Sequence, residues 1–188
     1  MSSIKLSPNA SGTGEFTIAA PNSNTNRTLT LPNNTGTLLT SATTTGFPAG
    51  SVLQVINATY STQVTNNTST YADTGLTASI TPTSSSSKIL VLISQNGCAK
   101  TSANSENRML LRLLRDASAI SVFSGDLGLY TGSALLINGN MSWGYLDSPA
   151  TTSSVAYKTQ FLNNQNTAAV IVQYGSANSS ITLLEIAA

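Results

Sequence analysis

Downstream of Gly50, short segments of alternating apolar and polar residues recur at near-regular intervals. They read "SVLQVINATY", "GLTASIT", "KILVLISQNG", "RMLLRLLRD", "AISVFSG", "MSWGYLD", "SSVAYKTQFLN", "AAVIVQYG" and "SSITLLEIAA". A period of two marks strands with one buried face. It is plain in Val52/Gln54/Ile56, in Val155/Tyr157/Thr159/Phe161 and in Ile181/Leu183/Glu185. Turn clusters separate the segments: "TPTSSSS", "AKTSANSEN", "DASA", "DSPATT", "NNQNTA" and "GSANS". Strands so spaced predict a β-sandwich or barrel over residues 47–188. "KILVLISQ" is nearly all apolar, which predicts a central strand buried on both sides.

"RMLLRLLRD" admits two readings. Arg108, Arg112 and Arg115 stand at i, i+4 and i+7, opposite Met109, Leu110, Leu113 and Leu114, as on a short amphipathic helix. As a strand, the same segment puts Met109, Leu111 and Leu113 on one face. Every neighbouring segment is β, so strand, turn at "DASA" and strand is the expectation.

Residues 1–46 differ. Apolar residues come only in short pairs: Ile4 and Leu6, Phe16 and Ile18, Leu29 and Leu31, Leu38 and Leu39. Between them lie "SPNASGTG", "PNSNTN" and "PNNTG". Pro21 and Pro32 end two of the runs, since proline cannot donate to a ladder. Such a meander has too few side chains to bury against the entropy of ordering its backbone. It therefore calls for partners: copies of itself around an axis, or a docking protein. Phe16, Ile18, Leu29, Leu31 and Leu38 are the expected oligomer interface. "TSATTTGFPAG" is the junction, and the boundary is placed at Gly46.

Composition sharpens this picture. Charged residues are 8% of the chain, against roughly 25% in an ordinary soluble domain. Ser, Thr and Asn together are roughly 39%, far above common usage. Hydroxyls and amides must therefore wet the surface. The net charge of +1 gives little pull toward nucleic acid or acidic membranes. No apolar run approaches the ~20 residues of a membrane span, and the opening "MSSIKLSPNASG" predicts no secretory leader. The expectation is synthesis in a cytoplasm, with any work elsewhere done as part of an assembly. Cys98 is the only cysteine, so no intrachain disulfide can form, and it reads as a small buried side chain.

Chemistry is sparse. There is no histidine, which excludes Ser-His-Asp and Cys-His sites and removes the commonest zinc ligand. The acids Glu15, Asp73, Glu106, Asp116, Asp126, Asp147 and Glu185 are scattered and read mostly as turn residues. A glycosidase-type pair could arise only through folding. No cofactor and no metal site is expected, and no enzymatic activity. Trp143, beside Tyr145, and Tyr130 are the candidate receptor contacts, as aromatics that could stack on a sugar ring. For Trp143 the competing reading is a core or interface position. Arg108, Arg112 and Arg115 could grip an acidic glycan, or form a solvated face paired with nearby acids.

"GTGEFTIAAPNSNTNRTLTLPNNTGTLLT" resembles a repeat near the N-terminus of tail-fibre-like proteins of tailed bacteriophages, of marine and cyanobacterial type. "SITPTSSSSKILVLISQNG", "LRLLRD" and "SSITLLEI" resemble the C-terminal domain of the same proteins, which is similar to a tumour-necrosis-factor-like jelly roll, usually a trimer. The resemblance implies an all-β chain. Residues 1–46 would form a short β-meander or prism with partner chains, and residues 47–188 a jelly-roll sandwich, the whole trimeric. It implies a virion structural protein, a tail fibre or spike contributing to host attachment. Its partners would be other phage virion proteins, through residues 1–46, and a host cell-surface glycan. The chain is short for a fibre and carries one copy of the repeat, which leaves open a capsid decoration or cement protein, a head fibre, or a polysaccharide-degrading tailspike.

Overall fold

A computed structural model describes residues 11–14, 17, 22–26, 28, 47–100, 108–124, 137–164 and 169–188. The chain divides into two units, Met1–Leu38 and Leu39–Ala188. In the first, the described residues are exposed, and Ser23 Oγ accepts a hydrogen bond from the Thr25 amide. The expected interface residues Phe16, Ile18, Leu29, Leu31 and Leu38 and the expected boundary at Gly46 lie outside the described residues.

The second unit is all-β. Its strands are β1 (Val52–Tyr60), β2 (Val64–Asn66), β3 (Ala72–Ile80), β4 (Lys88–Lys100), β5 (Met109–Arg115), β6 (Ser118–Ser124), β7 (Ile137–Asp147), β8 (Val155–Asn163), β9 (Val170–Val172) and β10 (Ser179–Ile186). A single 3₁₀ turn, Tyr174–Ser176, joins β9 to β10. No helix among the described residues is long and apolar enough to cross a membrane.

Two antiparallel sheets result. One contains β1, β10, β4, β9, β2 and, on the other side of β4, β7; the other has the order β3-β8-β5-β6. The pairings nest. β1 pairs with β10, β3 with β8, β4 with β7 and β5 with β6, so the outermost strands meet, then each pair inside them. Rolling that long hairpin brings β10 beside β4 and β8 beside β5. This wrapped hairpin is a jelly roll, and it places the two sheets face to face.

The turn at its centre is set by Asp116, at φ 52°, a conformation that Asp tolerates better than most residues. Its amide donates to the Ala156 carbonyl at 2.7 Å, and its carboxylate accepts from the Ala156 amide at 2.9 Å. Met109–Arg115 is therefore a strand, as the β neighbours suggested. The alternation then splits the arginines. Arg112 faces out of the sandwich, while Arg115 reaches across to Asp147 on β7, at 3.0 Å to each carboxylate oxygen.

Inward-facing side chains form two apolar clusters. The larger includes Leu76, Ile89, Val91, Ile93, Leu113, Tyr157, Ile181 and Leu183. The smaller holds Cys98, Met109, Leu111, Phe161, Val170 and Val172. A polar belt crosses between them, one position from each of several strands. Thr74 and Thr159 hydroxyls hydrogen-bond each other, and Thr159 donates to Gln95 Oε1 at 3.0 Å. Gln95 and Gln173 both donate through Nε2 to Ser179 Oγ at 3.1 Å. All five residues are buried. Polar groups so placed fix strand register, because a slipped strand would bury them without partners.

One expectation fails. "KILVLISQ" is not buried on both sides: Ile89, Val91 and Ile93 face the core, but Leu92 is 44% exposed and Leu90 half-buried on the outer face. No strand of this chain lies over that face among the described residues.

Candidate interaction faces

The jelly roll leaves one outward face on each sheet, and the register determines what each presents. On the larger sheet Val55 of β1 stands opposite Leu184 of β10, Leu184 opposite Leu90 of β4, and Leu90 opposite Leu146 of β7. This is one unbroken apolar row across four strands. The adjacent row is Asn57, Thr182, Leu92 and Gly144, and the next is Thr59, Ser180, Ser94 and Ser142. The face thus grades from aliphatic to hydroxyl over three rows. Val55 is 56% exposed and Leu146 53%. Large aliphatics side by side in water are unusual on a monomer, whereas scattered ones are normal.

Gly144 puts a dent in this surface beside Leu92. An open groove of about 460 Å³ runs there, lined by Leu92, Ile93, Ser142, Trp143 and Gly144. Trp143, one of the two candidate receptor contacts, sits on β7 at the edge of the sandwich. Its ring stacks on Phe123 of β6, with centroids 6.1 Å apart and planes at 22°, and the residue stays 37% exposed. The other candidate, Tyr130, lies outside the described residues.

The opposite face, on the smaller sheet, carries a polar row. Asp73 of β3 stands opposite Gln160 of β8, Gln160 opposite Arg112 of β5, and Arg112 opposite Val122 of β6. Gln160 donates through Nε2 to Asp73 Oδ1 at 2.6 Å. Arg112 donates through Nε and Nη2 to Gln160 Oε1, at 3.0 and 2.6 Å. The guanidinium also lies 3.7 Å from the ring centroid of Tyr71, a cation–π contact. Lys158 Nζ completes the group at 2.9 Å from Asp73 Oδ2. Burial pushes the Asp73 pKa up. The hydrogen bonds from Lys158 and Gln160 and the charges of Lys158 and Arg112 more than reverse this, so its carboxyl titrates below the usual range. The sequence pointed separately to Arg112, to Tyr71 as an exposed aromatic and to Asp73 as one of the scattered acids, and nothing in it joined them to each other or to Gln160 and Lys158.

Other titratable groups are structural. Glu185, fully buried on β10, accepts from Gln54 Nε2 at 2.6 Å, the Thr83 amide at 2.7 Å and the Thr83 hydroxyl at 2.8 Å. It clasps the "TPTSSSS" loop to the sheet. Tyr157 donates to Asp147 at 2.7 Å, and burial with that hydrogen bond pushes its phenol pKa up. Cys98 is buried and its thiol is pushed up to about 12 by desolvation. Among the described residues, no group of three or more His, Cys, Asp and Glu side chains could hold a metal ion.

No family model matches the chain, and no curated protein matches it. Solved structures from infectious bursal disease virus align with it loosely. The crystal structure of the infectious bursal disease virus VP2 subviral particle aligns with 71% of this chain at 13% identity and a TM-score of 0.46. The structure of the same virus's Gt strain aligns with 73% at 12% identity and a TM-score of 0.32. The chain spans 32% and 39% of the length of those two chains.

Proposed function

We propose that the chain is a homo-oligomeric structural protein of a phage virion, a fibre or spike that contributes to host attachment. The observation that carries this reading is the Val55–Leu184–Leu90–Leu146 row on the outer face of the larger sheet. That row gives the jelly roll a second dry surface, and copies of the chain packed on it would leave the polar face of the smaller sheet turned outward. Three copies are what the resemblance to phage tail-fibre-like proteins implies. The same resemblance assigns residues 1–46 to contact with other virion proteins. A low-charge, hydroxyl-rich exterior suits an appendage that must stay soluble without strong electrostatic attraction to its surroundings. Attachment through several copies requires no tight single site, because linked weak contacts gain avidity. No enzymatic activity is proposed.

Immunogold labelling of purified phage particles, with antibody raised against the full chain, tests the assignment. Label on the tail supports the fibre or spike, and label on the head moves the protein to capsid decoration. Particles free of label overturn the virion role.

A further inference from the structure

We infer that the outer face of the smaller sheet is a binding site for a carboxylated sugar of an acidic polysaccharide, built from Tyr71, Asp73, Arg112, Lys158 and Gln160. Three observations converge on it.

The first is a local opening of the sheet. Opposite β8, the β3 register jumps from Asp73, paired with Gln160, to Thr77, paired with Lys158. Thr74, Gly75 and Leu76 therefore bulge, with Gly75 at φ +86°. A Cβ there would run into the Tyr60 ring, so glycine is required for both the backbone angle and the packing. The bulge leaves a cavity of about 110 Å³ lined by Asp73, Gly75, Leu76, Thr77, Lys158 and Thr159. At about 30 Å³ per water, it admits one substituent of a sugar but not a ring. Bulges commonly re-aim side chains beside functional sites.

The second is unbalanced charge. Two cations, Arg112 and Lys158, share one carboxylate, Asp73, which Lys158 already contacts. Arg112 rests against an amide oxygen and an aromatic ring, neither of which is an anion. Its Nη1 edge has no hydrogen bond within the row. An anion placed there would receive charge-assisted bonds.

The third is the mixture of acceptors with donors. Asp73 would repel a bare anion, yet its oxygens suit hydroxyl donors. A ligand that uses the whole row must therefore carry both a carboxylate and hydroxyls, as a uronic acid does. The row is preorganised, since Gln160 holds both Arg112 and Asp73 in place before any ligand arrives.

The test uses the full chain in calorimetric titration with trigalacturonate, with maltotriose and acetate as the neutral-sugar and bare-carboxylate arms. Trigalacturonate is expected to bind with a Kd on the order of 1 mM, and the other two about 10-fold more weakly. Arg112→Met should weaken trigalacturonate about 10-fold, and Asp73→Asn, at an exposed position, should also weaken it should the arginine variant fail to fold. The inference is overturned if trigalacturonate does not bind at about 10 mM, if maltotriose or acetate binds as well as it does, or if the folded variants bind as wild type does. Oligomeric state measured on the same samples keeps this outcome separate from the assembly reading, on which the site does not depend.

Discussion

Leu92→Asp combined with Leu146→Asp should convert the assembled protein to folded monomers. The two positions are 44% and 53% exposed on the single chain, and Val55, on the same row as Leu146, is 56% exposed. Complete burial of a Val or Leu side chain returns roughly 1.5–3 kcal/mol, so covering the exposed half of each returns roughly 1 kcal/mol. The three together contribute roughly 3 kcal/mol per chain toward the roughly 8 kcal/mol that association at micromolar concentration requires. The double variant forfeits about two-thirds of that contribution and adds two carboxylates that assembly would strip of water. Each such unpaired charge costs several kcal/mol, which exceeds the whole apolar gain. In the monomer the new carboxylates stand in water. There the cost is only the packing of the half of each leucine that was already covered, about 1 kcal/mol per site.

Sedimentation velocity at micromolar concentration, with thermal melts on the same samples, reads both effects. Wild type should sediment as an oligomer. The variant should sediment as a monomer that still unfolds cooperatively, with its Tm lower by roughly 2–4 °C per kcal/mol lost. Two results refute the reasoning. One is a wild-type chain that is monomeric at these concentrations. The other is a double variant that keeps the wild-type sedimentation coefficient, which would place the contacts elsewhere.

Gly97→Ala should destabilise the fold more than an ordinary surface change: Gly97 sits at φ +59°, and a Cβ would lie 2.5 Å from the Tyr174 amide nitrogen and 2.9 Å from its carbonyl oxygen. A loss of roughly 2–4 kcal/mol is expected in denaturant melts, and a variant within about 0.5 kcal/mol of wild type would contradict the geometry. Glu185 should make stability acid-sensitive. Burial raises its pKa, but the hydrogen bonds from Gln54 and Thr83 outweigh this, and the folded pKa lies below the usual value. The stabilisation is therefore present above the unfolded pKa and lost as pH falls through the folded one. Unfolding free energy measured from pH 7 downward should fall less steeply in Glu185→Gln than in wild type, and parallel curves would reject the assignment. Cys98, with its thiol at about 12 and no exposed surface, should resist iodoacetamide at pH 8 in the native state and react after unfolding; mass spectrometry showing rapid native alkylation would count against the packing.

The strands could be read from the sequence because alternation is a local signal, and it survives in nearly every segment. Arg108, Arg112 and Arg115 show where locality misleads. Their helical spacing suggested one grouped face, but a strand sends Arg112 to the outside and Arg115 inward to Asp147. "KILVLISQ" misled differently. A run apolar on both sides states that both faces favour a dry surface, not that the same chain covers the second. The polar row was illegible for a third reason: Arg112 and Gln160 are 48 residues apart, and Gln160 and Asp73 are 87. Only the register of β3, β8 and β5 joins them. The Ile181/Leu183/Glu185 alternation placed Glu185 on its strand, but nothing local announces that the Thr83 amide will reach it.

The two outer faces constrain each other. The chain has only 8 Lys or Arg and 7 Asp or Glu, yet two of them, Asp73 and Arg112, share one row of the smaller sheet and a third, Lys158, reaches Asp73 from the adjacent row, while the apolar row of the larger sheet has none. A sandwich that needed only solubility would wet both faces alike, as its Ser and Thr rows already do beside Ser94 and Ser142. Segregation costs stability and solubility on the apolar side, and a solitary monomer gains nothing in return. It becomes favourable when the apolar row is covered by another copy, because the charged row is then held outward on every copy at once. A site that binds a single sugar weakly is of little use on one chain. Repeated around an assembly at fixed spacing, the same weak site can hold a polysaccharide. On the proposed reading, assembly on one sheet and recognition on the other would be linked through avidity alone. Disrupting the apolar row should leave the affinity for trigalacturonate unchanged while abolishing retention on an immobilised acidic polysaccharide.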